Sequence, residues 1–394
     1  MRLLGAVAVL LLTAGCSPSS AATGVAPTPS PSPSPTPRFA IMVHRAGVGE
    51  AYIIQIVAPD GIGGASVEPT SRSDKTLFST TPCPPNSMCA DSATANYFLP
   101  ETSISRTHVY FLDGDNEVKS MDSAGSVRPI KNIDTPANSQ VMFAVSPDDK
   151  RMAVAVITLA TKLNPAGSFS EHMYVEDLAT TANRVVLYSS MTQAEWPIAW
   201  HAGQLVVATG TMEVANYDNP YAAAAYELVD PTNGAVLSSL GCADGLLVRA
   251  GTVCVAGGCP AINRCEAPAT AYTEAWDGSQ TLLRIPSGPA GDIFNTRTYT
   301  YLSPDGTRLA AEAVTDPATG ATQTEIIQNG AVIQTTLLGG PQGWLDNDHL
   351  IVGSAAEVDV LDVASGAAVP MRNLITIPHQ GMPHFVGMYP EDLD

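Results

Sequence analysis

Seven times along the chain an apolar run ends in an acid, or once its amide, and a turn. The places are Ala58-Pro59-Asp60-Gly61, Ser120-Met121-Asp122, Val175-Glu176-Asp177, Leu228-Val229-Asp230, Ala275-Trp276-Asp277-Gly278, Ile327-Gln328-Asn329-Gly330 and Val360-Leu361-Asp362. The six intervals between Asp60 and Asp362 average about 50 residues, a period of repeat architectures in which each unit buries its faces against its neighbours. A short side chain that caps its own turn, often followed by glycine with positive φ, is what a tight hairpin needs there. Glycine (32) and proline (31) are plentiful and only 14% of residues are charged. Runs of Val, Ile, Thr and Tyr recur between the turns, and no long helical periodicity follows the N-terminal apolar stretch. An all-β body is therefore expected.

A second signature precedes several of these runs. Val145-Ser146-Pro147-Asp148-Asp149-Lys150 and Leu302-Ser303-Pro304-Asp305-Gly306-Thr307 stand before apolar runs at 152–159 and 309–314, and Gly343-Trp344-Leu345-Asp346-Asn347-Asp348 is a degenerate copy. Proline presets φ, aspartate caps the turn and glycine closes it. Over about residues 39–394 these features resemble the Ser-Pro-Asp-Gly repeats of TolB-like β-propellers, which are related in architecture to WD-repeat proteins. Asp149 stands where that family has glycine, and the units near Pro100 and Gly203 lack the motif. The resemblance implies a seven-bladed β-propeller, with six or eight blades as alternatives, each blade having four strands. One such unit is read at 142–145, 152–159, 173–176 and 184–188. The first unit supplies only its second to fourth strands, at 39–44, at 52–58 and within 76–80. Its innermost strand is expected at 385–392, where Tyr389-Pro390-Glu391 echoes Ser-Pro-Asp. The C-terminal strand would thus close the ring by joining the N-terminal blade.

In a four-stranded up-and-down blade, alternate connections share a face. One set is short, around Asp148, Gly203, Gly251, Asp305, Asn347, Gly125, Asn233, Gly278, Gly330 and Ser365. The other holds the long segments 81–96, 160–172, 210–222, 257–270, 286–298 and 370–384, so binding is expected on that face. The ligand-face candidates are Tyr217, Asp218 and Tyr221 in Asn216-Tyr217-Asp218-Asn219-Pro220-Tyr221, together with Trp196, His379 and His384. For Trp196, as for Trp200, Trp276 and Trp344, packing between blades is the plain alternative to ligand stacking. His379 and His384 lie in one long connection and could share a metal, the plain alternative being two exposed histidines with no such task. Asp113-Gly114-Asp115-Asn116-Glu117 alternates oxygens as a calcium loop does, but Val118 stands where that loop needs glycine, so a hairpin turn is expected. No metal or other cofactor is expected.

Leu3 to Leu12 forms an apolar stretch of signal-peptide length, too short to span a bilayer. Leu12-Thr13-Ala14-Gly15-Cys16 then resembles a bacterial lipobox, which implies cleavage after residue 15, acylation of Cys16 and anchoring to the cell membrane on its extracytoplasmic side. Residues 16–38 carry the lipidated cysteine and a Pro/Ser/Thr-rich linker. Residues 17–37 extend up to roughly 65 Å as polyproline II at about 3.1 Å per residue. Six cysteines remain beyond Cys16, an even number that suits an exported protein. Cys83 with Cys89 and Cys259 with Cys265 each bracket five residues inside long segments, leaving Cys242 and Cys254 to pair. A zinc site among them would lack both Cys-x-x-Cys and histidine.

A net charge of −19 argues against nucleic acid or an anionic membrane surface as partner, so membrane contact is expected through the lipid alone. No Gly-x-Ser-x-Gly, His-Glu-x-x-His or glycine-rich phosphate loop occurs. Two functions remain. One is a monomeric recognition module for an envelope protein or polymer. The other is a propeller enzyme of lactonase, glycosidase or quinone-dependent dehydrogenase type, with its site in the axial funnel.

Overall fold

A computed structural model describes residues 39–44, 52–70, 102–136, 139–158, 170–190, 194–210, 225–240, 251–256, 270–283, 286, 297–316, 319, 321–354, 357–375 and 383–389. All lie within the second of two compact units, Pro37–Asp394. Every element among them is a strand. Sheet 1 contains β1 (Phe39–His44), β2 (Ile53–Val57) and β3 (Gly63–Val67). Sheet 2 contains β4 (Thr102–Ile104), β5 (Val109–Asp113), β6 (Glu117–Met121) and β7 (Val127–Asn132). Sheet 3 contains β8 (Ser139–Val145), β9 (Arg151–Thr158), β10 (Ser170–Asp177) and β11 (Val185–Ser190). Sheet 4 contains β12 (Ala194–His201), β13 (Gln204–Gly210), β14 (Ala225–Val229) and β15 (Val236–Leu240). Among the described residues sheet 5 has three strands, β16 (Thr252–Ala256), β17 (Thr270–Glu274) and β18 (Gln280–Leu283). Sheet 6 contains β19 (Arg297–Leu302), β20 (Arg308–Asp316), β21 (Ala321–Gln328) and β22 (Ala331–Thr336). Sheet 7 contains β23 (Gly340–Trp344), β24 (His349–Gly353), β25 (Val358–Asp362) and β26 (Ala368–Pro370). The last strand, β27 (His384–Tyr389), pairs antiparallel with β1, setting Phe39 opposite Tyr389 and Val43 opposite His384.

One strand differs from the sequence reading. The fourth strand of sheet 1 is Gly63–Val67 rather than a segment within 76–80, which lies outside the described residues. The Ala58-Pro59-Asp60-Gly61 turn is too tight for any other outcome: Gly61 N–H donates to Ala58 O at 2.9 Å, and Ala58 N–H to Ile62 O at 3.0 Å. The chain therefore turns straight back onto β2. Asp113 to Glu117 is a hairpin, with those two residues opposite one another.

Strand burial follows position in the sheet. The second strand β9 is buried on both faces from Met152 to Ile157, as a strand packed between two neighbouring sheets must be. Fourth strands such as β7 and β22 are mostly exposed, and carry the exposed Val127, Val332 and Ile333. Apolar clusters fill successive seams: sheets 1 and 2 around Ile54 and Phe111, sheets 2 and 3 around Tyr110 and Phe143, and sheets 3 and 4 around Trp200. Two further clusters join sheets 6 and 7 around Trp344, and sheets 7 and 1 around Leu345 and Met42. The first strands also follow one another, with β27 beside β4, β4 beside β8 and β8 beside β12. The succession resumes with β19 beside β23 and β23 beside β27, while β16, the strand of sheet 5 that precedes the 257–269 connection, also lies beside β19.

The Ser-Pro-Asp turns bind one sheet to the next. Ser146 Oγ donates to Asp148 at 2.8 Å and accepts from Arg151 N–H at 2.9 Å; Ser303, Asp305 and Arg308 repeat this at 2.7 and 2.9 Å. Asp149 adopts φ 57°, the left-handed conformation for which the family motif uses glycine. The following arginine then reaches the first turn of the next sheet. Arg151 donates to Gly203 O, and Arg308 to Asn347 O and Asp348 Oδ1. A tryptophan on that next sheet reaches back: Trp200 Nε1–H donates to Ala144 O at 3.1 Å, and Trp344 Nε1–H to Tyr301 O at 3.0 Å. Both acceptors lie two residues before the motif serine, so seams 3/4 and 6/7 are built alike.

Candidate functional site

Strand alternation puts the long connections 68–101, 159–169, 211–224, 257–269, 284–296 and 371–383 at one end of the sheets. At the opposite end no turn within a sheet is longer than that between β10 and β11, residues 178–184. The end with long connections is also where seam 3/4 carries an unusual set of side chains. Glu171 lies near the start of β10, Glu195 near the start of β12 and Glu227 on β14. Period-2 alternation points Glu171 from sheet 3 in the same direction as Met173 and Val175, toward sheet 4. On sheet 4, Glu195 and Glu227 share one face with Thr209 and Val207, their partners in register.

Glu171 is only 2% exposed. Its Oε2 accepts the backbone N–H of Glu195 at 2.8 Å, a bond from sheet 4 to sheet 3. Its Oε1 is buried with no hydrogen-bond partner. Burial pushes this carboxyl up to about 8, against the lowering effect of the Glu195 amide. Burial likewise raises Glu195 to about 7; the Tyr188 hydroxyl opposes that rise, and the charge of Glu227 adds to it. Glu227 is raised by burial, and Tyr188 is pushed up to about 12, chiefly by burial. Near neutral pH Glu171 and Glu195 can therefore hold, donate or accept protons.

The neighbouring seam 2/3 shows the ordinary solution. Glu176, also 2% exposed, has Lys131 Nζ at 2.8 Å and Arg184 Nη2 at 2.7 Å. Those pairs neutralise it where it lies. Among the described residues no group of three or more His, Cys, Asp or Glu is arranged to hold a metal ion. At the short-turn end Thr107, His108 and Asp149 meet, but not as a nucleophile, base and acid. The Thr107 hydroxyl donates to Asp149 and lies 2.6 Å from His108 Nδ1, and Asp149 approaches that same nitrogen at 3.8 Å. A triad needs the acid and the nucleophile on opposite ring nitrogens. Asp149 also accepts the Tyr110 hydroxyl at 2.7 Å, so this network ties sheet 2 to sheet 3.

The residues singled out from sequence have varied locations. Trp196 is 7% exposed, within the apolar cluster that also holds Tyr226 and Trp276; its Nε1 has no partner. It packs between sheets, the plain alternative to ligand stacking. His384 is exposed on β27. The backbone of Cys254 lies on β16 opposite Tyr272. Cys16, Cys83, Cys89, Cys242, Cys259, Cys265, Tyr217, Asp218, Tyr221 and His379 lie outside the described residues. Sequence reasoning passed over Glu171, Glu195 and Glu227. Their signal was an acid in period-2 phase with core residues, as Glu171 is with Met173 and Val175.

No protein-family model matches the chain, and no curated protein matches it. Among solved structures, TolB from Acinetobacter baumannii is 13% identical, with a TM-score of 0.34, over 88% of this chain and 65% of that one. The chain thus spans slightly less than two thirds of that protein. The β-propeller domain of the trilobed protease from Pyrococcus furiosus is 12% identical over 84% of both chains, with a TM-score of 0.39. A puromycin-hydrolyzing peptidase of Mycobacterium tuberculosis is 14% identical over 88% of this chain and 56% of that one, with a TM-score of 0.41.

Proposed function

We propose that residues 39–394 form a seven-bladed β-propeller closed by β27, held on the extracytoplasmic side of the cell membrane by a lipid on Cys16. The end with long connections would recognise an envelope protein or polymer. The succession of first strands and filled seams from sheet 6 through sheet 1 to sheet 4 supports the ring. The observation that carries the recognition reading is the asymmetry between ends: long connections and the uncompensated carboxyls of seam 3/4 share one end, and tight turns close the other. A rigid frame with adaptable segments on one face is suited to binding.

Photo-crosslinking on intact cells tests this. A crosslinker at Asp218 or Tyr221, in the β13–β14 connection, should capture one defined partner; a crosslinker at Ala124 or Asn183, in the short turns, should not. Equal capture from both ends, or none from the long connections, overturns the reading. The anchor has its own check. Cys16→Ser should move the protein from membranes into the soluble exported fraction, because the acyl chains are its proposed hold on the bilayer. Sedimentation of the variant with membranes through salt and carbonate washes would exclude lipid anchoring.

One observation favours an enzyme instead. Two carboxyls raised to about 8 and about 7 in adjoining strands are poised for general acid and base work near neutral pH. In that case Glu171→Gln and Glu195→Gln would each abolish turnover of a lactone or glycoside substrate.

A further inference from the structure

We propose that seam 3/4 is a proton-controlled joint, holding while Glu171 is neutral and loosening when Glu171 and Glu195 both carry charge. The geometry supplies the coupling. Glu171 Oε2 holds the Glu195 amide at 2.8 Å, so a movement of that carboxyl moves the start of β12. The other oxygen, Oε1, is buried without a partner. A neutral carboxyl tolerates such a place far better than an anion does.

Among the described residues, the groups that face Glu171 offer no counter-charge nearby. β9 places Ile157 opposite it and β11 places Ser190 opposite it, with Tyr188 farther along that strand. β12 contributes Glu195, β13 Thr209 and β14 Glu227. Among the described residues of these faces the one base is Arg151, at the far end of β9, with its guanidinium 4.7 Å over the Trp200 ring. Glu176 in the next seam, equally buried, has two bases within 3 Å.

The sign follows from the raised carboxyls. Glu171 ordinarily titrates at 4.5 and is raised to about 8 here, so the closed seam favours its protonated form. The seam is tightest below pH 4.5. Its opening becomes easier as pH rises toward 8, and the effect levels off above that. Glu195, raised to about 7, acts in the same direction. The inference deepens the recognition reading by giving its face a control, and it is tested with no partner present.

Amide hydrogen exchange on the full chain, expressed as protection factors from pH 5 to pH 8, reads the joint. Protection at Glu195 and along the start of β12 should fall roughly tenfold or more between pH 6 and pH 8. Protection in β23 and β24 should stay level. Glu171→Gln keeps an acceptor for the Glu195 amide but cannot ionise, so it should flatten the profile. If that variant does not fold, Glu195→Gln should flatten it in part. Level protection in the unmodified protein, or a profile unchanged by the substitution that folds, overturns the proposal. Failure of partner capture with a normal exchange profile would count against the recognition reading alone.

Discussion

Deleting residues 381–394 is expected to destroy cooperative unfolding of the 38–394 body, although only fourteen residues leave. β27 is the neighbour of β1, whose Ala40, Ile41, Met42 and Val43 are all 0% exposed. Its side chains serve two seams: Phe385 and Met388 pack with the cluster of sheets 7 and 1, and Val386 with that of sheets 1 and 2. Sheet 7 is shaped to receive it. A Cβ on Gly343 would lie 2.5 Å from the Phe385 ring, and Gln342 Oε1 accepts the Phe385 N–H at 3.0 Å. Three apolar side chains and a ladder of hydrogen bonds amount to a loss on the order of 5 kcal/mol, comparable to the whole stability of many domains. The truncation also leaves β1 as a bare inner edge, open to pairing with other chains. Thermal melts with light scattering compare 38–394 with 38–380. A fraying tail would change stability by only about 0.5 kcal/mol. Unchanged melting and solubility would rule out the closure model.

The second large effect is expected at the tryptophans that reach back across seams. Trp200 is 1% exposed and Trp344 is 3% exposed, and each donates its indole N–H to a carbonyl of the preceding sheet. Replacing either with alanine should cost about 3–5 kcal/mol, the range for large buried rings. Trp200→Phe keeps most of the packing but leaves Ala144 O without that donor, so a loss of about 1–3 kcal/mol is expected. Arg308→Ala should cost no more than about 1 kcal/mol, because its partner Asp348 is 59% exposed and water screens the pair. Chemical denaturation of the four variants orders them. An arginine variant as damaging as the tryptophan variants would mean that charge, rather than the indole, holds these seams.

What the sequence determined by itself is whatever chemistry acts within a few residues. Asn329-Gly330 takes positive φ at both positions, 52° and 80°, as a two-residue hairpin requires. The Ser-Pro-Asp turns fold as their side chains dictate, and the Asp60 to Asp362 spacing was enough to expect repeated antiparallel units. The expected partnership of the C-terminal segment with Phe39–His44 was also readable, because the first unit lacked a strand and the last segment had one over. Tertiary structure decided what depends on distant neighbours. It placed the fourth strand of sheet 1 at Gly63–Val67, where the turn after Val57 leads directly. It separated Trp200, which bonds across a seam, from Trp196, which is buried without a partner for its indole nitrogen. Among the described residues it also left Glu171 without a facing cation while giving Glu176 two. Both are glutamates on β10, equally buried. A carboxyl's proton affinity is set by the groups that face it across a seam, and those groups come from strands that the local sequence does not contain.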